Sequence, residues 1–205
     1  ILIQFLITIV LIVGEITIIK QIHFMKNHDL GFDQDNLLTI SLQNLEESER
    51  IAKAEILKER IQTHSASYGF SQATLSENVP GYYFQNMFGV KNENTPPGTS
   101  QEMVVTSIDD NFIDVYRFRL LEGRDFSVGF ATDKDASVIL NQSAVKTAGW
   151  TDGTGKKIYF AHDDRPLNIV GVVGDIHLGS LKHNIEPVVY RYADSDWLIA
   201  FLTLR

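Results

Sequence analysis

The sequence predicts an α+β protein, in which an N-terminal transmembrane helix is followed by a water-soluble domain built mainly of strands. Two observations carry this prediction. Residues 1–19 form an almost unbroken apolar segment. The remainder contains about ten short β-rich segments, with two or three helical patterns between them. With 205 residues, of which 44% are hydrophobic, the chain has enough apolar side chains for both parts.

The apolar segment predicts a membrane anchor. No charge occurs from Ile1 to Val13, and only Gln4 and Thr8 are polar there. A helix needs about 20 largely apolar residues to cross a bilayer. Apolar residues cover every face of this helix, which favours a membrane span over a core helix with one buried stripe. The segment lacks a basic stretch before it and a small-residue cleavage site after it, so a removed signal peptide is disfavoured. Glu15 is expected near the outer interface or against another helix.

Composition excludes several classes of function. The chain carries 18 Lys and Arg against 26 Asp and Glu, a net charge of −8. An acidic surface repels phosphate backbones, so nucleic-acid binding is not expected. The absence of cysteine excludes disulfides, thiolate zinc sites and cysteine nucleophiles.

The first part of the soluble domain reads as a β-α-β unit. Residues 20–28 continue the helical pattern as a stalk, which Gly31 ends. Residues 37–42 (LLTISL) predict a strand. Asn44 and Glu47 resemble a capping box that opens an amphipathic helix. Its buried face is expected to contain Ile51, Ala54, Leu57 and Ile61. Its outer charges, Glu49, Arg50, Lys53, Lys58 and Glu59, are expected to be solvated. Residues 65–75 predict the second strand.

The rest of the chain reads as short strands with two further helices. Strands are predicted over residues 102–108, 138–140, 157–160, 167–173, 188–192 and 197–204. Residues 111–116 predict a helical turn, and Asn141 is expected to cap a helix over residues 143–148 that Gly149 ends. Residues 157–173 are expected to form a hairpin around residues 162–166. Residues 93–100 (ENTPPGTS) predict a surface loop.

No catalytic, metal or cofactor site is predicted. The segment Gly149 to Lys157 has the wrong spacing for a phosphate-binding loop and precedes a strand. Asp175 and His177, with His162, Asp163 and Asp164, have metal-binding side chains, but no third ligand is fixed by spacing, so structural hydrogen bonding is preferred. A Gly-x-Ser-x-Gly elbow is absent. We therefore do not expect an enzyme.

One aromatic segment is a candidate surface for a partner protein. Tyr82, Tyr83, Phe84 and Phe88 cluster after a Pro-Gly turn. Packing within the fold is the more frequent role of such residues. We retain these four as a candidate partner surface.

Several motifs occur in an order that is familiar from one protein family. They are DLGFD at 29–33, SAS at 65–67, VPG at 79–81, LEGRDFS at 121–127, VILNQSAV at 138–145 with GW at 149–150 and GK at 155–156, IVGVVGDIH at 169–177, SL at 180–181 and IEP at 185–187. Each motif alone is weak, but together they resemble the permease subunits of the MacB/FtsX-like ABC transporter family, in the form common in Bacteroidota. Gly174 and Ile176 depart from that pattern, which usually has a basic and an aromatic residue there.

The resemblance implies an architecture and a location. After the transmembrane helix and stalk (1–28), a porter-like lobe would comprise residues 29–77 and a returning strand at 194–205. A mostly-β, Sabre-like lobe would be inserted at 78–193. The soluble domain would lie in the periplasm, anchored in the bacterial inner membrane. The Asp175-x-His177 pair would then belong to the fold.

The resemblance also implies a function. A permease subunit of this type would couple ATP hydrolysis by a separate cytoplasmic ABC ATPase to conformational change in the periplasm, for efflux, lipoprotein extraction or mechanotransmission. A permease dimer and a periplasmic adaptor or lipoprotein would be its other partners. The alternative is the ligand-sensing ectodomain of a membrane receptor, which fits composition equally well.

Overall fold

A computed structural model of the chain describes residues 1–82, 86–179, 184–193 and 199–205. The described helices are α1 (Leu2–Asn27), α2 (Glu47–Thr63), α3 (Ser65–Tyr68), α4 (Phe112–Tyr116), α5 (Thr132–Ala136) and α6 (Gln142–Thr147). The described strands are β1 (Leu38–Ser41), β2 (Ala73–Ser76), β3 (Met87–Lys91), β4 (Gln101–Ile108), β5 (Leu120–Gly123), β6 (Ser137–Asn141), β7 (Lys157–Phe160), β8 (Asp163–Val173), β9 (Val188–Tyr192) and β10 (Phe201–Leu204).

Helix α1 forms one unit, and residues 31–205 form a second, compact unit. The helix runs without a break from Leu2 to Asn27, so the predicted helical pattern of residues 20–27 is present, and their role as a stalk remains a prediction. It is long and apolar enough to cross a membrane. The extended conformation of His28 ends it, just before the predicted break.

The strands of the second unit form one sheet with a closed portion. Their order is β1-β10-β2-β4-β3-β7-β8-β6-β9, and β5 pairs with β8. A parallel pairing between β4 and β9 closes the strands from β4 onward into a ring. The antiparallel strands β1, β10 and β2 extend the sheet outward from β4. The sheet therefore has a ring portion and a three-stranded extension.

The side chains of the ring alternate between two cores. Met103 and Val105 of β4 belong to one apolar cluster with α6, whereas Val104 and Ile108 belong to another with α4. This is the period-two alternation that a sheet buried on both faces requires. A third cluster lies beneath α2 and contains Leu75 of β2 together with Leu202 and Leu204 of β10.

Four details of the predicted elements are wrong. Helix α2 begins at Glu47 with Glu46 at the N-cap position, so Asn44 does not cap it. Leu57, predicted on the buried face, is 39% exposed, whereas Ala54 and Ile61 are buried. Residues 65–68 form helix α3, ended by Gly69 in the left-handed conformation, and the strand begins only at Ala73. The hairpin between β7 and β8 turns at Ala161 and His162, and not around residues 162–166.

The other predicted strands that the structure describes are present within a residue or two of the expected bounds, with two exceptions: β8 begins early, at Asp163, and β10 begins late, at Phe201, because residues 199 and 200 are not in a strand. Asn141 caps α6 as expected, because its side chain accepts a hydrogen bond from the backbone N–H of Ala144. Strand β3 and helix α5 were not predicted. Residues 197 and 198 of the last predicted strand lie outside the described part of the chain.

Candidate functional site

Gly31 is the first residue of the compact unit, directly after the chain leaves α1. Its φ is +83°, and a Cβ atom there would lie 2.3 Å from the backbone oxygen of Asp175. Only glycine avoids both the strain of this φ and the clash. The DLGFD motif therefore lies directly on the Asp175-Ile176 backbone of the later IVGVVGDIH motif.

The next two residues are fixed to helix α4. The ring of Phe32 packs edge-on against Tyr116, with 6.0 Å between centroids. The backbone N–H of Asp33 donates to the Tyr116 carbonyl at 3.0 Å. Tyr116 is buried, and its hydroxyl is 2.9 Å from the Thr203 hydroxyl of β10. Thr203 in turn lies 3.2 Å from the Thr39 hydroxyl of β1. Burial raises the pKa of Tyr116, so its hydroxyl stays protonated at neutral pH.

Two arginines converge on Asp33. Its carboxylate accepts from Arg117 at 2.6 Å and from Arg205 at 3.1 Å, and Arg205 also donates to the Asp33 carbonyl at 2.6 Å. The backbone N–H of Asp35 and both guanidinium groups hold the pKa of Asp33 below its usual value. The side chain of Arg205 is only 7% exposed, so its contacts are sheltered from solvent. We name Gly31, Phe32, Asp33, Tyr116, Arg117 and Arg205 the exit junction.

Asp175 provides the backbone on which Gly31 of the exit junction packs, and its side chain is itself held in place. Its carboxylate accepts from the Ser143 backbone N–H at 2.7 Å and from the Ser143 hydroxyl at 2.8 Å. Both donors belong to the first turn of α6, where a carboxylate is favoured by the unpaired N–H groups of the helix. Asp175 therefore fixes the backbone against which Gly31 lies.

The other residues considered as metal ligands are also engaged locally. Asp163 accepts from the Arg165 guanidinium at 2.8 Å, and the His162 ring stacks on Phe160 with 5.8 Å between centroids. Arg165 holds the pKa of Asp163 below its usual value. Among the described residues, three or more His, Cys, Asp or Glu side chains nowhere come together in a way that would hold a metal ion.

The glycine-rich loop before β7 holds a carboxylate. The backbone N–H groups of Gly153 and Thr154 donate to one oxygen of Glu122 at 3.0 and 3.2 Å. These bonds lower the pKa of Glu122, so it is ionised at neutral pH. A phosphate group would compete with this carboxylate for the same donors. The observation agrees with the rejection of a phosphate-binding loop.

The candidate partner surface is described at two of its four residues. Tyr82 is 52% exposed, and its ring lies 5.6 Å from that of Phe201. Phe88 is half-buried against Phe160 at 6.0 Å, and it lines a cleft of about 220 Å³. Tyr83 and Phe84 lie outside the described residues, so the surface remains a prediction.

Residues outside the predicted set hold helix α2 to the sheet. Lys58 is 2.7 Å from the Asp109 carboxylate, and both side chains are largely buried. That carboxylate also accepts from the Leu75 N–H at 2.6 Å and the Asn111 N–H at 3.1 Å. The expectation that Lys58 is merely solvated is wrong, because Asp109, directly after β4, pairs with it in a largely buried position.

No local pattern in the sequence indicates that Arg117 or Arg205 belongs to the exit junction. Arg205 and Asp33 are 172 residues apart. Asp33 is the only charged residue of the exit junction that belongs to one of the sequence motifs. Arg205 comes next to it through the pairing of β1 with β10.

Comparison with known proteins fixes the family. The family model described as "MacB-like periplasmic core domain" matches residues 6–194. The chain belongs to the MacB-like periplasmic core domain family. Its fold is accordingly α+β, with an N-terminal transmembrane helix followed by a MacB-like periplasmic core domain.

Two solved structures are similar to the chain. The chain is similar to the periplasmic region of MacB from Actinobacillus actinomycetemcomitans, with 20% identity, a TM-score of 0.54, and coverage of 83% of this chain and 74% of that one. It is also similar to the extracellular domain of the ABC-type transporter YknZ from Gram-positive bacteria. There the identity is 14% and the TM-score 0.48, with 72% and 71% of the two chains covered. The search of curated proteins gave no match. The likeness to the MacB region, at a TM-score of 0.54, supports a shared fold.

Proposed function

We propose that this chain is the membrane-anchored periplasmic part of an ABC transporter permease subunit that couples ATP hydrolysis by a cytoplasmic partner to conformational change in the periplasm. Helix α1 would cross the inner membrane and place the MacB-like domain in the periplasm. The partner would be a cytoplasmic ABC ATPase, and the permease would act as a dimer. A periplasmic adaptor or lipoprotein would bind at the surface around Tyr82, Tyr83, Phe84 and Phe88. Efflux, lipoprotein extraction and mechanotransmission all use this coupling.

The exit junction is the observation that carries the proposal. A displacement of α1 reaches the domain through the peptide chain at Gly31 to Asp33, which α4 and Arg205 hold. Charge-assisted hydrogen bonds such as those between Arg205 and Asp33 are stronger than neutral ones. Tyr116 continues the connection through Thr203 to Thr39, in the paired strands β10 and β1. The junction therefore connects the residues after the anchor to the sheet, and a movement of the anchor would be passed on through these contacts.

We also propose that the domain has the two lobes expected from the family. The porter-like lobe would contain α2, β1, β2 and β10, and the inserted lobe would contain the ring strands. Two observations support this division: the ring strands all lie within residues 78–193, and the cluster beneath α2 is distinct from the two cores of the ring. Arg205 would then tie the returning strand of the first lobe to the exit junction.

The test measures ATP hydrolysis by the full-length permease with its ATPase in lipid vesicles. Removal of the periplasmic domain is expected to alter or uncouple basal hydrolysis. Arg205→Gln is expected to act in the same direction, because it loosens the exit junction. The matched control is Arg165→Gln, since Arg165 is 81% exposed and pairs only with the neighbouring Asp163 among its described contacts. The control is expected to behave as the native protein.

Two results would contradict the proposal. One is unchanged hydrolysis after both the deletion and Arg205→Gln. The other is failure to associate with any ATPase, combined with stabilisation of the full-length protein by a small molecule in a thermal melt. The second result would favour the ligand-sensing receptor.

A further inference from the structure

Between residues 2 and 16, the polar side chains of helix α1 lie on one side of the helix, whereas Thr17 lies on the other side. Among residues 2–16 the polar side chains are Gln4, Thr8 and Glu15. With 3.6 residues per turn, these three positions fall within about 40° of one another around the helix axis. They form a stripe about 16 Å long, and the opposite face carries Leu6 and Val13. We name Gln4, Thr8 and Glu15 the polar stripe.

The polar stripe is not covered by the described part of the chain. None of the membrane-spanning segment is buried inside the described structure. The Thr8 hydroxyl donates to the Gln4 carbonyl at 2.9 Å, which satisfies its proton within the helix. The Glu15 carboxylate lies five residues before Lys20, about 7–8 Å along the axis and within the apolar segment. A carboxylate at this depth faces a protein neighbour or water far more often than lipid.

We infer that a second transmembrane helix, presenting a basic side chain opposite Glu15, packs on the polar stripe. A basic side chain neutralises the carboxylate in a medium where an unpaired charge is costly. A second copy of α1 is a poorer occupant. In a parallel pair related by a twofold axis, the two Glu15 carboxylates would meet at the same depth and repel each other. Polar side chains opposite Thr8 and Gln4 would add interhelical hydrogen bonds. This inference uses the proposed membrane placement of α1, but not the proposed coupling to ATP hydrolysis.

Lipid exposure of the two helix faces gives the first test. The 205 residues contain no cysteine, so single cysteines carrying a spin label can be placed at Leu11, beside the stripe, and at Leu6, on the opposite face. The labels are read in the full-length transporter, with other cysteines removed, in lipid vesicles. Oxygen dissolved in the bilayer is expected to reach Leu6 and to be excluded from Leu11. Equal accessibility at the two positions would overturn the inference.

Two further outcomes of the same experiment identify other arrangements. Strong dipolar coupling between Leu11 labels of two copies would place a second copy on the stripe and overturn the basic partner. High accessibility of both positions to a water-soluble nickel chelate would show that α1 is outside the membrane. That result would overturn the proposed anchor as well. Loss of ATPase coupling without any change in these accessibilities would instead leave the inference intact and count against the proposed function.

Substitutions test the chemistry of the partner. Glu15→Gln is expected to weaken assembly of the transporter about three- to thirtyfold, the range of one interhelical polar contact. Glu15→Lys is expected to weaken it further, because two cations then meet. Thr8→Val is expected to weaken assembly slightly. Thr17→Val is the matched control, because Thr17 makes the same bond to a preceding carbonyl but lies on the other side of the helix. Assembly is measured by titrating sodium dodecyl sulfate into the solubilised complex. An unchanged Glu15→Gln protein would overturn the basic partner.

Discussion

Asn141 offers the sharpest test of how the ring portion is held together. The residue ends β6 and is fully buried. Its side-chain oxygen accepts from the backbone N–H of Ala144 at 2.9 Å and of Val188 at 2.8 Å. Its amide group donates to the Glu186 carbonyl at 2.8 Å. One side chain therefore caps α6 and fixes the start of β9.

Asn141→Ala removes all three of these hydrogen bonds. Loss of an N-cap alone costs about 1 kcal/mol. A buried N–H left without an acceptor costs about 1–3 kcal/mol, and the Val188 N–H is in that position. The Glu186 carbonyl is nearer the surface, so water can replace part of its bond. Together these losses predict a decrease of about 2–5 kcal/mol in the free energy of unfolding.

Urea unfolding of residues 31–205 measures this decrease. The matched control is Gln142→Ala, since Gln142 is the next residue and its side chain is exposed. Asn141→Asp keeps the acceptor but turns an oxygen toward the Glu186 carbonyl, so its stability is expected to lie between those of the two alanine variants. A difference below about 0.5 kcal/mol between Asn141→Ala and Gln142→Ala would refute the reasoning.

Three further predictions concern stability. Burial raises the pKa of Asp125 to about 7, with Asp114, Asp110 and Asp109 adding to the rise. Its native carboxyl thus binds a proton more tightly than in the unfolded chain, so this contribution to stability is lost as pH rises from about 4 to 7. Asp125→Asn should therefore raise the free energy of unfolding at pH 8, by at most about 4 kcal/mol, and change it little at pH 4; equal gains at both would contradict this. Gly31→Ala should lower the melting temperature more than Gly149→Ala does, because both glycines have positive φ but only Gly31 lies against a backbone oxygen. Equal decreases in melting temperature would show that this close approach is not the cause. Lys58→Met should lower the unfolding free energy by about 1–3 kcal/mol in urea, because it leaves Asp109 buried without its cation. Lys53→Met, which breaks an exposed pair on the same helix, should change it by less than about 0.5 kcal/mol, and an equal effect would show that burial of Lys58 is unimportant.

The sequence predicted elements whose signals are local. Asn141 at the cap position and Gly149 after the helix predicted α6, and the β-rich composition of residues 102–108 predicted β4. The helix start predicted from Asn44 and Glu47 is wrong. The Leu45 N–H donates to the Leu42 carbonyl in a turn, and the helix begins only after this turn. A short turn signal within a polar stretch does not distinguish these two outcomes.

The contacts of the exit junction could not be predicted from the sequence, for a different reason. Asp33 reads as an ordinary loop residue, and Arg205 as an isolated charge after a strand. Their contact depends on the register of β1 on β10, in which Leu38 pairs with Leu204. That register is set by packing beneath α2 and not by any residue near Asp33. A single sequence does not reveal such pairings.

The exit junction gives a physical reason why the DLGFD and IVGVVGDIH motifs occur together in this chain. Gly31 can lie on the backbone of Asp175 only if that backbone is held in place. The hydrogen bonds between Asp175 and Ser143 hold it against the start of α6. Gly171 allows a second close approach in the later motif, because a Cβ atom there would lie 2.3 Å from the Arg124 carbonyl oxygen. A larger residue at Gly31, or loss of the Asp175 carboxylate, would move the backbone where Gly31 and Asp175 meet, whereas a larger residue at Gly171 would displace the backbone at Arg124. The Asp-x-His run, which resembles a metal site in the sequence, therefore has at Asp175 a structural role.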